Sequence, residues 1–161
     1  MKLKDLFDIG YGNKYDLNKL ELSNKENGIA FVSRTRQNNG ISAYVKKQHI
    51  TPYKEGLMTV ALGGSGLLTT YLQEKPFYTG QNVAVLSSKI SLSKSMKLLY
   101  ASFIYFNQFR YSAFGREANS TLKDLEIPDL LEAMCFLIAS NKSRAEQSRA
   151  EQSRAEQSRA E

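Results

Sequence analysis

Ser33-Arg34-Thr35-Arg36-Gln37-Asn38-Asn39-Gly40 sets two guanidinium groups and three side-chain amides within eight residues. An arginine fork matches the acceptor edge of guanine, Asn and Gln match the mixed edge of adenine, and all three hold phosphate. This is the chemistry of a loop that reads nucleic acid. Gly63-Gly64-Ser65-Gly66 would let backbone amides approach a phosphate closely. Tyr71, Lys75 and Tyr78 place aromatic rings beside a cation, and Arg110, Arg116, Asn119 and Lys123 make a second cationic, amide-bearing stretch. Taken singly, each segment is also what an ordinary surface loop contains.

Groups that make and break bonds are scarce. With one histidine (His49) and one cysteine (Cys135), no His/Cys zinc cluster can be assembled. The Gly-Gly-Ser-Gly run is not followed by Gly-Lys-Ser/Thr and lacks the Gly-x-Gly-x-x-Gly spacing, so neither nucleotide-binding pattern is met. The three prolines (Pro52, Pro76, Pro128) are isolated, which removes the Pro-Pro-aromatic loop of amino-methyltransferases. Pro128-Asp129 has no acidic-x-Lys after it, as a nuclease site of that type requires. The expectation is a non-catalytic chain that holds no cofactor or metal.

The elements that must position these residues change character along the chain. Ile29–Val32 and Ile41–Val45 are short apolar pieces separated by polar stretches, with Gln37-Asn38-Asn39-Gly40 as the clearest turn. Residues 57–62 and 67–72 are strand-like runs flanking the glycine segment, which suits a tight hairpin or a close backbone approach, and 83–86 is a further buried strand. At Ser93, a plausible N-cap, the period becomes helical. Met96, Leu99, Phe103 and Phe106, with Tyr100 and Phe109, form an aromatic stripe expected to face the core, on a helix ending near Arg110. A second helix is expected from Leu130, with Leu131, Met134 and Ile138 on its apolar side. Strands first and helices after predict an α+β fold: a mixed sheet followed by helices, the last one projecting.

The last nineteen residues repeat Ser-Arg-Ala-Glu-Gln from Ser143, the fourth copy stopping at Glu161. Five residues advance a helix by about 140° net, so Ala145, Ala150, Ala155 and Ala160 spiral around the axis and build no apolar seam. Glu146–Arg149, Glu151–Arg154 and Glu156–Arg159 stand three apart and lend modest helix support. The tail reads as a solvated helical rod or a disordered segment. A tandem AGCAG unit in DNA translates, in one frame, as this same pentapeptide. Slippage by one unit would shift the frame and make the tail a genetic switch; a duplicated solvent-facing helix is the alternative.

The tail's four arginines and four glutamates cancel, so the net charge of +6 belongs to the remaining body. That bias favours an anionic partner without naming one. Cys135 lies among Met134, Phe136, Leu137 and Ile138 and reads as a small buried hydrophobe; His49, beside Lys46 and Lys47, reads as exposed. A lone cysteine fits a reducing compartment. No run suits a signal peptide or a membrane span, so a cytoplasmic protein is expected.

In order, several segments resemble the target recognition domain of the specificity subunit of type I restriction–modification systems. They are Phe31-Val32-Ser33-Arg34-Thr35 with Asn38-Asn39-Gly40-Ile41, and Val60-Ala61-Leu62-Gly63-Gly64-Ser65-Gly66. Then come Gln73-Glu74-Lys75-Pro76-Phe77-Tyr78-Thr79-Gly80-Gln81-Asn82-Val83-Ala84-Val85-Leu86 and YSAFGREANSTLKDLEIP at 111–128. The resemblance spans about Leu3 to Asp129 and rests on the order of the motifs. It implies a reader of double-stranded DNA that guides a methyltransferase subunit using S-adenosylmethionine and a nuclease subunit. The family pattern is two recognition domains joined by two long helices, whereas here there is one domain and one helix start. Two explanations stand: a half-subunit that pairs with itself or with a second half-subunit, or a full subunit cut short by a frame switch and acting only as an interaction fragment. The domains expected are 1–129 for recognition, 130–142 for the start of a spacer or pairing helix, and 143–161 for the repeat tail. The resemblance assigns DNA contact to Arg34, Arg36, Asn38 and Asn39 first, then to Gly63, Gly64, Ser65, Tyr71, Lys75, Tyr78, Arg110, Arg116, Asn119 and Lys123. Gly115 and Thr121 are expected to be structural.

Overall fold

The computed structural model describes residues 1–111 and 118–160. In chain order its strands are β1 (Phe7–Gly10), β2 (Ile29–Val32), β3 (Ile41–Val45), β4 (Met58–Ala61), β5 (Thr70–Leu72), β6 (Phe77–Thr79) and β7 (Val83–Ser88). Its helices are α1 (Leu3–Leu6), α2 (Lys94–Phe106) and α3 (Leu130–Ala160). An antiparallel sheet of order β1-β7-β4-β5 stands beside a mixed sheet of order β3-β2-β6, in which β2 and β6 run parallel. The fold is α+β: the one-turn α1 precedes the two sheets, and the longer helices α2 and α3 follow them. Two units are separately compact, Met1–Ile127 and Pro128–Glu161.

Both faces of the parallel pair are buried, as continuous apolar strands demand. Ala30, Val32 and Phe77 pack with Val83 and Val85 of β7 and so join the two sheets. Phe31, Tyr78 and Val45 form the other cluster, covered by Tyr15, Leu17 and Leu20. Helix α2 begins at Ser93, whose hydroxyl accepts from the Met96 N–H. It lies against β5, and Tyr100 meets Phe7 of β1 edge to face at 5.8 Å. The chain start is sewn to residues 122–127: Leu3 N–H donates to the Leu125 carbonyl, Ile127 N–H to that of Met1, and Asp124 pairs with Lys4 and Lys2.

The structure departs from the sequence pattern in several places. The run 67–72 is strand only at Thr70–Leu72, because Leu68 adopts φ +59° and turns the chain while Leu67 and Leu68 are buried as anchors. The β4–β5 connection is therefore a wide, folded loop rather than a tight hairpin. The core face of α2 is Met96, Tyr100, Ala101 and Ile104; Phe106 and Phe109 fall off that face and are 68% and 70% exposed. The helix gives way to a 3-10 turn at Asn107–Arg110.

Helix α3 runs unbroken through the repeats. Asp129 and Glu132 cap it reciprocally, each carboxylate accepting the other's backbone N–H at 2.9–3.0 Å. Cys135 is exposed, not buried, because Leu131, Met134, Phe136 and Ile138 around it are exposed as well. None of the Glu–Arg pairs three residues apart in the tail forms an ion pair among the described residues. Solvated side chains gain little from holding that geometry. No helix among the described residues is long and apolar enough to cross a membrane.

Candidate nucleic-acid interface

Strand register gathers one set of loops at one end of both sheets. Val32 faces Ile41 and Thr79, Ala61 faces Val83, and Val60 faces Thr70. Residues 11–16, 33–40, 62–69 and 80–82 therefore share that end. Backbone bonds bind them there: Gly80 N–H to the Val32 carbonyl, Leu62 N–H to that of Asn82, and Tyr15 N–H to that of Thr79. Asn13 and Thr79 add a reciprocal pair, Asn13 N–H donating to Thr79 Oγ1 (2.7 Å) and Thr79 N–H to Asn13 Oδ1 (3.0 Å).

The arginine loop and the glycine loop meet. A Cβ on Gly66 would come within 2.6 Å of the Arg34 carbonyl oxygen, so only glycine lets the two backbones approach. The Arg34 guanidinium lies over Gly64, and the Arg36 stem lies against Gly66. Both arginines are exposed, and neither guanidinium has a hydrogen-bond or ion-pair partner among the described residues. Arg34 borders an open concavity of about 460 Å³ with Tyr15, Asp16, Ser33 and Gln81. Arg36 borders one of about 540 Å³ with Tyr71, Leu98, Tyr105 and Phe106. Such an end offers free guanidinium forks beside exposed aromatic surface, and can hold phosphates or base edges.

The other expected residues divide. Asn38, Asn39 and Gly40 all take positive φ (49°, 56° and 79°), a single left-handed turn. Both asparagine amides hold this turn in place: Asn38 Nδ2 donates to the Ile41 carbonyl and Asn39 Nδ2 to that of Leu72 on β5. They shape the loop. The Tyr71 hydroxyl donates to the Arg36 carbonyl, so Tyr71 braces as well. Gly63 is buried while Gly64 and Ser65 are exposed. Tyr78 leaves the candidate set: it is fully buried, its hydroxyl donating to the Ile50 carbonyl and accepting from Gln48 N–H. Lys75 follows β5 and precedes β6 at the opposite end of the sheets, beside the Glu74–Lys94 pair.

Asn119 joins the arginine end from a later segment. Its carbonyl accepts from the Tyr11 hydroxyl, and it borders an opening of about 340 Å³ with Tyr11, Lys14 and Asn82. Arg110 is exposed and stacks over Phe109 at 5.7 Å, and Lys123 is exposed on the 3-10 turn Leu122–Asp124. Arg116 and Gly115 lie outside the described residues. Sequence reasoning missed Lys14, an exposed cation with φ 58° at the same end, and Gln73, buried beneath the turn that follows the arginines. Nothing in the local sequence around Lys14 marks it; only the register brings it there. No group of three or more His, Cys, Asp or Glu able to hold a metal occurs among the described residues.

Residues 1–129 match the family model of the type I restriction modification DNA specificity domain. The chain belongs to that family. Over 126 residues it is 29% identical to the specificity subunit of a type II restriction enzyme from Heyndrickxia coagulans, covering 78% of this chain and 36% of that one. Its fold is similar to the S subunit of a type I restriction-modification system from M. genitalium, with a TM-score of 0.63 at 10% identity, over 92% of this chain and 40% of that one. It is also similar to a structure described for complex assembly and conformational transition of the type I system, with a TM-score of 0.65 at 15% identity, over 97% and 40% of the two chains. The chain thus spans about two fifths of the length of these relatives.

Proposed function

We propose that this specificity domain reads double-stranded DNA through the arginine end of its sheets, as a specificity subunit or half-subunit. It directs a methyltransferase subunit, and with it a restriction subunit, to a target sequence. The observation that carries this reading is the pair of unpartnered guanidiniums, Arg34 and Arg36, on a loop braced by the glycine segment and β5, in a chain of this family. Free forks on a fixed backbone are what base and phosphate contact require. Arg34 and Arg36 are the first candidates for contact and Lys14 joins them; Asn38, Asn39 and Tyr71 hold the loop, and Ser65, Asn119, Arg110 and Lys123 are subsidiary. The chain supplies recognition rather than chemistry, in the cytoplasm, and the catalysis belongs to its partners.

Residues 1–129 are the recognition domain in this reading. Residues 130–142 start the spacer helix, whose exposed Leu131, Met134 and Ile138 suit pairing with a second copy or another half-subunit. Each Ser-Arg-Ala-Glu-Gln unit in 143–161 would lengthen the helix by about 7.5 Å and with it the gap between half-sites.

The test is co-expression with the methyltransferase subunit encoded beside the gene, followed by mapping of modified bases across the host genome. A symmetric, interrupted motif that disappears without this chain is the expected result. An asymmetric motif would assign the second recognition domain to another chain. No new methylation despite a stable complex would overturn the reading in favour of an interaction fragment.

A further inference from the structure

Gln73 is a glutamine buried to 1% exposure, just past the end of β5. Burying a carboxamide is costly unless each of its donors is met, and here both are. Its Nε2 donates to the Asn39 carbonyl (2.9 Å) and to Thr59 Oγ1 of β4 (3.0 Å), while its Oε1 faces Asn39 Nδ2 at 3.4 Å. Asn39 Nδ2 also donates to the carbonyl of Leu72, the neighbouring residue (2.9 Å). The partner is the middle of the left-handed turn 38–40. Successive left-handed residues are costly for L-amino acids and persist only where surrounding contacts over-determine them. On the other side of the turn, Gly40 sits against the Tyr71 ring and the Tyr71 hydroxyl holds the Arg36 carbonyl.

We propose that Gln73 is a positioning residue for DNA discrimination: its buried carboxamide ties the left-handed turn to β4 and β5 and so fixes where Arg34 and Arg36 are presented. The proposal rests on the reading that this loop contacts DNA. A loosely held arginine still finds phosphate anywhere along a duplex, whereas base readout needs the fork at one place. Loss of the latch therefore erodes specificity more than non-specific affinity.

Gln73→Met keeps the side chain's length and volume and removes both donors and the acceptor. Thr59→Val removes the β4 half of the tie alone, because it takes one acceptor from Gln73 Nε2 and leaves the Gln73–Asn39 contact in place. Two readouts are taken on the full chain, with folded fractions matched by circular dichroism. The first is tryptic cleavage after Arg34 and Arg36, followed by mass spectrometry, which needs no DNA. The second is the ratio of affinities for a duplex carrying the mapped motif and for a scrambled duplex. Gln73→Met is expected to speed cleavage at both arginines and to lower the ratio by about tenfold, comparable to one mismatched base pair, with scrambled-duplex binding and its salt dependence retained. Thr59→Val is expected to change both in the same direction by less.

Cleavage unchanged in Gln73→Met, or raised equally by Thr59→Val, overturns the latch. Cleavage raised with the ratio intact overturns its role in discrimination. Should Gln73→Met not fold, Asn39→Gly keeps the left-handed backbone while removing the Asn39 amide bonds, and faster cleavage at the arginines is again the supporting result. Failure of the DNA reading shows separately, as Arg34→Ala with Arg36→Ala leaving DNA binding unchanged.

Discussion

The two ends of the sheets carry comparable cationic residues and use them differently. At one end Arg34 and Arg36 stand unpaired on a backbone held by Gly66, Tyr71 and Gln73. At the other, Lys46 leans on Glu21, Lys94 on Glu74, and Lys97 donates to the Gly56 carbonyl at 2.8 Å. The first end keeps its guanidiniums free and fixes its backbone; the second spends these three lysines on the fold's own acceptors and leaves Lys47, Lys54 and Lys75 exposed. What sets the first end apart is a pair of free guanidinium forks on a braced backbone, which supports placing DNA contact there rather than wherever lysines are dense.

The largest effect expected from this contrast is on DNA affinity. Replacing Arg34 and Arg36 with Ala should cost about 1–3 kcal/mol for each arginine that reads a base, relaxing one position of the motif. If they touch phosphate instead, all duplexes weaken alike and the salt slope flattens by about 0.9 for each phosphate no longer neutralised. Lys75→Ala, at the other end, should leave affinity nearly unchanged. Anisotropy titrations at two salt concentrations measure both; a Lys75 effect equal to the arginine effect would break the contrast.

Tyr78 sharpens it from the inside. Tyr78→Phe strips the partner from Gln48 N–H and the donor from the Ile50 carbonyl, at a cost of about 1 kcal/mol in stability by urea denaturation. DNA discrimination should not move, since the ring is buried in the core and keeps its packing on Tyr15 as phenylalanine. A selective loss of DNA binding would return Tyr78 to the interface.

The smallest effect is the acid response of the paired carboxylates. The Lys94 hydrogen bond and charge hold the Glu74 carboxyl below its ordinary value of 4.5, and Lys4 holds Asp124 below its ordinary 3.8. A depressed folded-state value means stability that is fully present above the ordinary value and lost as pH falls through the folded one. Both sites are solvent-exposed, so the melting temperature should fall only slightly more in wild type than in Glu74→Gln on acidification. High salt should abolish the difference.

Local sequence was enough for the α+β order, the strands at 29–32, 41–45 and 83–86, the cap at Ser93 and the family. Those follow from apolar period, capping chemistry and motif order, which a short window carries. That Arg34 and Arg36 sit exposed on a loop was legible too, because guanidinium groups crowded into a polar stretch are visible as composition. The α2 core face, the exposure of Cys135 and the fate of Tyr78 needed the folded chain, since an aromatic or a cysteine carries no local mark of which way it faces. So did the pairing of the arginine loop with Gly66 and Gln73, segments more than thirty residues apart. Strand register, a property of long-range backbone hydrogen bonding, set the glycine segment beside the arginine loop and left Lys75 at the other end, while side-chain bonds between Asn39 and Gln73 span the length of β5.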